Sequence, residues 1–147
     1  MTSFLSLISS AGTVFSKDLG ILILRIGVGA LFFHYGFEHL KKGKTEWEWM
    51  GSQLASFGIT FTPTLWGFFA SLIQTCGGLL CIIGLKMRVA ALLIACIMLV
   101  AIDVHKKKET KTNAIALPIT LFITLISLSI SGSGRFSLDY LISKMWC

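Results

Sequence analysis

The chain has 147 residues, of which 54% are hydrophobic and only 14% are charged, and its formal net charge at pH 7 is +6. Soluble domains average about 25% charged residues, and a soluble protein of this length would have too few polar residues to cover its surface. The composition predicts one membrane domain, residues 1–147. The basic residues cluster at the ends of apolar runs, where they fix topology or meet anionic headgroups. We therefore expect the lipid bilayer as a partner, and no nucleic acid.

The first twenty residues lack the basic start and the apolar centre of a signal peptide. They predict a short amphipathic or irregular lead-in at the membrane surface. Four apolar runs of spanning length follow, at residues 19–37, 65–85, 89–104 and 114–130. The predicted fold is all-α, an integral membrane four-helix antiparallel bundle. Positive charge is divided almost evenly between its two sides, so the orientation stays open.

The segments outside the four runs have their own patterns. The loop at 38–64 carries Trp47 and Trp49 among charges, as an interfacial segment does, and 46–50 predicts a short surface helix. Pro118 falls in the first turn of the fourth run, where its missing N–H costs little. A glycine-rich turn and a short amphipathic tail end the chain.

Arg25 is the most unusual residue of the first run, because an intramembrane cation is expensive and usually faces protein or a wet cavity. At about 100° per residue, Arg25 and His34 fall on opposite stripes of a helix. The stripe with Arg25 also holds Gly29, Phe32, Gly36 and His39. The second run has a stripe of small and polar residues, which predicts a close packing face; it consists of Gly67, Ser71, Gln74, Gly78 and Cys81.

These stripes predict a candidate intramembrane polar site of Arg25, Gln74, His34 and Glu38. Arg25 is expected to pair with Gln74, and His34 with Glu38 four residues later at the membrane edge. The alternative for Arg25 is a structural role, in which helix carbonyls and Gln74 satisfy it and fix the register of the bundle.

Two further residues at the end of the third run, Asp103 and His105, form a candidate proton relay, because histidine titrates near physiological pH. Their alternative role is to cap the helix. The fourth run aligns hydroxyl residues, which predicts helix packing or bonding back to the helix's own carbonyls; these are Thr120, Thr124, Ser127 and Ser131.

Signatures of chemistry are otherwise absent from the sequence. The four cysteines form no C-x-x-C pair, so neither a zinc site nor a redox pair is indicated. No hydrolase, phosphate-loop or dinucleotide-binding motif occurs. We assign no catalytic residue and no metal ligand from the sequence, and a disulfide-forming enzyme lacks its reactive cysteine pair.

Three stretches together resemble the DoxX family of small four-span membrane proteins. They are LRIGVGALFFHYGFEHLKKG at 24–43, GGLLCIIGLKMRVAALLIACIMLVAIDVH at 77–105 and GSGRFSLD at 132–139. The resemblance covers most of residues 19–140 and implies a multi-pass protein of a bacterial plasma membrane. Some relatives are subunits of thiosulfate:quinone oxidoreductase or partners of oxidative-stress enzymes. Gln74 stands where many members carry an acidic residue, which weakens an Arg–carboxylate pair here.

Three functions follow as hypotheses. The first is a membrane subunit of a redox complex, in which Arg25 contacts a quinone oxygen or an anion, His34 or His105 relays protons, and Gln74 orients the ligand; the quinone is implied by the resemblance alone. The second is a scaffold or assembly factor that binds other membrane or peripheral redox proteins through its loops. The third is a small-solute transporter, which with four spans would need a homo-oligomer.

Overall fold

The computed structural model describes the backbone of residues 2–107, 112–132 and 134–145, and their side chains except those of 2–14, 56 and 112–114. The described chain is helical and contains no strand, which confirms the all-α prediction. Six α-helices and one 3-10 helix follow in order: α1 Thr2–Lys42, α2 Lys44–Ser52, the 3-10 helix Gln53–Phe57, α3 Pro63–Ile83, α4 Met87–Lys107, α5 Thr112–Ser131 and α6 Leu138–Met145.

Three of the described helices are long and apolar enough to cross a membrane, at Phe15–Lys42, Pro63–Ile83 and Met87–Lys107. The apolar part of α5, Ile115–Ser131, is shorter. These four helices pack in the order α1, α3, α4, α5, and α1 touches α5 only weakly. The predicted membrane bundle of four helices is therefore the observed core of the fold.

The antiparallel direction of α1 and α3 is visible in their contacts. Gly29 faces Gly78, and Gly36, seven residues further along α1, faces Thr75, which lies earlier in α3. A Cβ added at Gly36 would lie 2.5 Å from the backbone nitrogen of Thr75, and one at Gly78 would lie 2.5 Å from the nitrogen of Phe33. The backbones of α1 and α3 thus touch directly, as the stripes of small residues predicted.

The buried side chains lie where the stripes placed them. Arg25, Phe32, Ser71, Gln74 and Cys81 are all at most 4% exposed. The rest of the core comes from α4 and α5, which bury apolar residues against each other; these include Ala91, Ile94, Met98, Leu125 and Leu128.

The hydroxyl stripe of α5 does not face this core. Ser127 and Ser131 are exposed, and Thr120 and Thr124 donate back to the carbonyls of Ala116 and Thr120, each at 2.8 Å. The predicted packing role of the stripe is therefore wrong, whereas the predicted back-bonding occurs in its two threonines. Bulkier Leu125 and Leu128 fill the core instead.

Two helix starts differ from the prediction. The lead-in is helical from Thr2 and continuous with the first span, so its irregular alternative does not occur. Because α5 begins at Thr112, Pro118 lies in the second turn, inside the helix, and not in the first turn. A proline there removes a backbone hydrogen bond to the residue four positions earlier.

The long first loop forms helical structure against α3. Within it, α2 extends over Lys44–Ser52 and includes the predicted short helix at 46–50. A Cβ at Gly51 would collide with the backbone of Pro63, and one at Gly67 with the backbone of Trp47. The loop is thus packed onto the start of α3.

We predict that Gly78→Ala destabilises the bundle, because the new methyl group meets backbone atoms of α1 that cannot rotate away. Overpacking of this kind costs about 1–3 kcal/mol. Gly27→Ala is the matched control, since nothing lies within 4 Å of its added Cβ. Thermal unfolding of the detergent-solubilised protein should show a lower melting temperature for Gly78→Ala alone. Equal melting temperatures for both variants would contradict the glycine contact.

Candidate functional site

Arg25 lies against the turn between α3 and α4, at one end of the bundle. Its guanidinium donates to the carbonyl oxygen of Phe136. Gly84 ends α3 with φ of +74°, and a Cβ at this position would lie 2.5 Å from Arg25 Nη1. Glycine is suited to both demands, because it adopts positive φ freely and leaves room for the guanidinium.

The segment that receives Arg25 is the C-terminal tail, which docks on the same turn. Asp139 accepts a hydrogen bond from the backbone N–H of Lys86 at 3.0 Å, and its own N–H donates to the carbonyl of Gly84 at 3.2 Å. Arg135 and Asp18 add a further contact between the tail and α1, with a nitrogen–oxygen distance of 3.9 Å. Arg25 therefore fastens α1 to the tail.

The expected pairing of Arg25 with Gln74 is wrong. Gln74 packs beside Gly36, whose added Cβ would lie 2.9 Å from the Gln74 Cβ. Gly36 is eleven residues beyond Arg25 on α1, which corresponds to about 16 Å along a helix. The stripes correctly placed both side chains in the interface, but the register of α1 on α3 sets them far apart.

Gln74 instead belongs to the wall of a cavity of about 530 Å³ between the helices. The wall is mostly aliphatic and aromatic and is built by α1, α3, α4, α5, α2 and the 3-10 helix. Its polar side chains are few: Tyr35, His39, Gln53, Gln74 and His105. Large apolar pockets with a few polar groups are the usual form of small-molecule sites.

The cavity is open at the level of the spans. Phe69 of α3, Leu93 of α4 and Leu117 of α5 belong to its wall, and they are between 47% and 56% exposed. Because these residues lie within apolar helices, the surface around the opening faces hydrocarbon in a membrane. A molecule dissolved in the bilayer therefore has a direct route into the cavity.

Near the end of α1, α2 and the 3-10 helix cover the cavity with Trp49, Met50 and Leu54. His39 ties this cover to α1, since its Nδ1–H donates to Glu46 Oε1 at 3.0 Å and its carbonyl accepts from Trp47 Nε1 at 3.1 Å. The cover is thus held by polar bonds at the end of α1.

Of the remaining candidate residues, His34, Glu38 and Asp103 lie outside the cavity wall. His34 and Glu38 are exposed on α1, and the described residues contain no hydrogen bond between their side chains. Asp103 pairs with Lys107 at 2.8 Å, one turn later on α4. Of the proposed relay only His105 reaches the cavity. In the described part of the chain, no three His, Cys, Asp or Glu side chains come together as metal ligands would.

Sequence reasoning missed His39 and the cavity cover. His39 already fell on the buried stripe of α1, one turn after Gly36, so its position was available as a signal. The cover depends on the close approach of α2 to α3 at Gly51 and Gly67, and the spacing within α2 does not reveal that contact.

The sequence profile of the DoxX family matches residues 20–106. The chain belongs to the DoxX family. Together with its apolar helices, this makes it a multi-pass membrane protein. The matched region includes Arg25, Gln74 and His105, and ends before α5 and the tail.

The chain is also similar to the Bacillus subtilis (strain 168) protein named "Putative oxidoreductase CatD". The two are 27% identical over 129 residues, which covers 88% of this chain and 91% of that protein. No solved structure matches the chain significantly.

We predict that Arg25→Met loosens the tail, because it leaves the carbonyl of Phe136 without the donor that satisfies it. Removing one partner of a buried hydrogen bond costs about 1–3 kcal/mol, and because this bond is part-buried we expect the lower end of that range. Limited chymotrypsin digestion in detergent should cleave the aromatic tail sites faster in this variant. Arg135→Met is the control, since its side chain is 66% exposed and an exposed ion pair contributes little. Equal cleavage in both variants would show that Arg25 does not hold the tail.

Proposed function

We propose that this DoxX protein is a membrane subunit of a quinone-linked redox complex and that the cavity beside Gln74 binds the quinone. The observation that carries the proposal is the cavity itself, an apolar space of about 530 Å³ that opens among the spans. A quinone ring with its isoprenoid chain is dissolved in the bilayer, so it enters such a cavity without crossing water. The name of the Bacillus subtilis relative, "Putative oxidoreductase CatD", supports a redox role.

The polar groups of the wall have roles in this proposal. Gln74 orients the ring through its amide, and His105 exchanges protons at the cavity. Reduction of a quinone to a quinol takes up two electrons and two protons, and the electrons come from a redox centre on a partner protein. Arg25 and His34 have no part in binding, since neither lines the cavity; this replaces the roles that the sequence suggested for them.

The proposed setting is a bacterial plasma membrane. There the protein associates with other membrane or peripheral redox proteins and with further copies of itself in a homo-oligomer. Purification from native membranes in a mild detergent tests this part of the proposal. Recovery of a redox protein in a fixed ratio supports a complex, whereas recovery of this chain alone contradicts it.

Quinone binding is expected to quench the intrinsic fluorescence of the protein, because Trp49 and Trp66 belong to the cavity wall. The full chain in phosphatidylglycerol–phosphatidylcholine nanodiscs is titrated with 2,3-dimethyl-1,4-naphthoquinone, which has no free ring position for a thiol to attack. We expect saturable quenching. A scaffold without a ligand site would give only the linear quenching of a quinone dissolved in lipid.

A variant that fills the cavity, compared with a control variant outside it, tests where the quinone binds. Ala70→Trp places an indole in the cavity wall and should weaken binding at least tenfold. Ala30→Trp is the control, because Ala30 is exposed on α1 and lies outside the wall. Saturable binding that is unchanged in Ala70→Trp would place the quinone elsewhere and overturn the assignment of the cavity.

A further inference from the structure

Gln74 is a polar residue of the cavity wall whose Oε1 accepts no hydrogen bond from the described chain. We propose that Gln74 recognises an oxygen atom carried on the ring of the ligand, either a carbonyl or a hydroxyl oxygen, and so selects oxygenated rings over hydrocarbons of the same shape. The proposal rests on the proposed function, since it concerns the same cavity. It adds the residue that decides which molecules bind.

The Oε1 atom of the Gln74 amide is buried and has no hydrogen-bond partner among the residues that the structure describes. The side chain is 4% exposed and belongs to the cavity wall, and its Oε1 accepts no hydrogen bond from the residues that the structure describes. The neighbouring hydroxyls on α3 are already used: Ser71 donates to the carbonyl of Gly67 at 2.9 Å, and Thr75 donates to the carbonyl of Ser71 at 2.8 Å.

A buried polar group without a hydrogen-bond partner lowers the stability of the fold. Buried amides are nearly always hydrogen-bonded, because losing water without gaining a partner is unfavourable. A methionine of similar length would fill the same place without that penalty. A ligand hydroxyl would remove this penalty by donating to Oε1, whereas a ligand carbonyl accepts a hydrogen bond from Nε2.

The surrounding lipid makes this hydrogen bond decisive. A ligand that leaves water gains from any apolar pocket, but a ligand that leaves hydrocarbon exchanges one apolar environment for another. The aromatic and aliphatic wall therefore distinguishes poorly between a quinone and a lipid tail. Discrimination has to come from the few polar groups, and among these Gln74 is the most deeply buried.

The test compares two ligands of the same shape. One is 2,3-dimethyl-1,4-naphthoquinone, measured by tryptophan quenching in nanodiscs, and the other is 2,3-dimethylnaphthalene, measured by its ability to displace the quinone. Because the two partition differently into lipid, the readout is the ratio of their dissociation constants in the unmodified protein divided by the same ratio in Gln74→Met. This cycle isolates the contribution of the amide.

We expect the unmodified protein to favour the quinone about tenfold more than Gln74→Met does, the size of one buried hydrogen bond. Ile97→Leu, a volume-conserving change elsewhere in the cavity wall, should alter both affinities equally. Quinone binding with the same ratio in both proteins would overturn the role of Gln74 and leave the cavity proposal standing. If neither ligand binds saturably, both proposals are wrong.

A second measurement separates ligand recognition from a structural role. Without ligand, Gln74→Met should melt at the same temperature as the unmodified protein or higher, because the substitution removes an unpaired buried group. With saturating quinone, the melting temperature should rise more in the unmodified protein than in the variant. A lower melting temperature of ligand-free Gln74→Met would mean that the amide stabilises the fold, and the proposal would then be wrong.

Discussion

The direct contact between the backbones of α1 and α3 sets the register of these two helices, on which the positions of Arg25 and Gln74 depend. Lipid tails are as apolar as side chains, so helices in a bilayer associate through close packing rather than through the hydrophobic effect. Gly29, Gly36 and Gly78 allow that packing, because a Cβ on any of them would overlap the opposite helix. The same contact fixes one register, which brings Arg25 to the turn at Gly84 and Gln74 to the cavity.

Two of the buried polar side chains of this interface, Arg25 and Gln74, have different surroundings. Arg25 is surrounded by a turn and a tail that supply a carbonyl acceptor, so its burial strengthens the assembly of three segments. No donor in the described chain reaches Oε1 of Gln74, so the burial of this atom opposes folding. The contacts of the turn and the tail account for the burial of Arg25, and the ligand proposed above would account for that of Gln74. Proteins commonly keep such unfavourable groups where they bind or react.

Helical periodicity predicted which residues are buried better than it predicted which residues meet. The stripe of Arg25, Gly36 and His39 follows from the angle per residue alone, and burial on that face requires only that α1 has one neighbour. Whether Arg25 meets Gln74 depends also on the register between α1 and α3. A single sequence does not give that register. The contact of Phe136 in the tail with α1 could not be predicted either, because the two residues that meet are 111 positions apart in the chain. The hydroxyl stripe of α5 shows a second limit of periodicity. Periodicity shows that residues share one face of a helix, but it does not show whether that face is buried.

The cavity lies where the helices of the bundle do not pack closely against each other. α1 meets α3 along its length but scarcely touches α5, so the bundle is closed at α1–α3 and loose on the opposite side. Pro118, within α5, takes part in the cavity wall with Leu121 one turn later. Because close packing is the attraction that holds helices together in lipid, a helix pair without small residues at its contact leaves space between its members. The close contact of α1 with α3 and the weak contact of α1 with α5 thus leave the space between the helices that the cavity occupies.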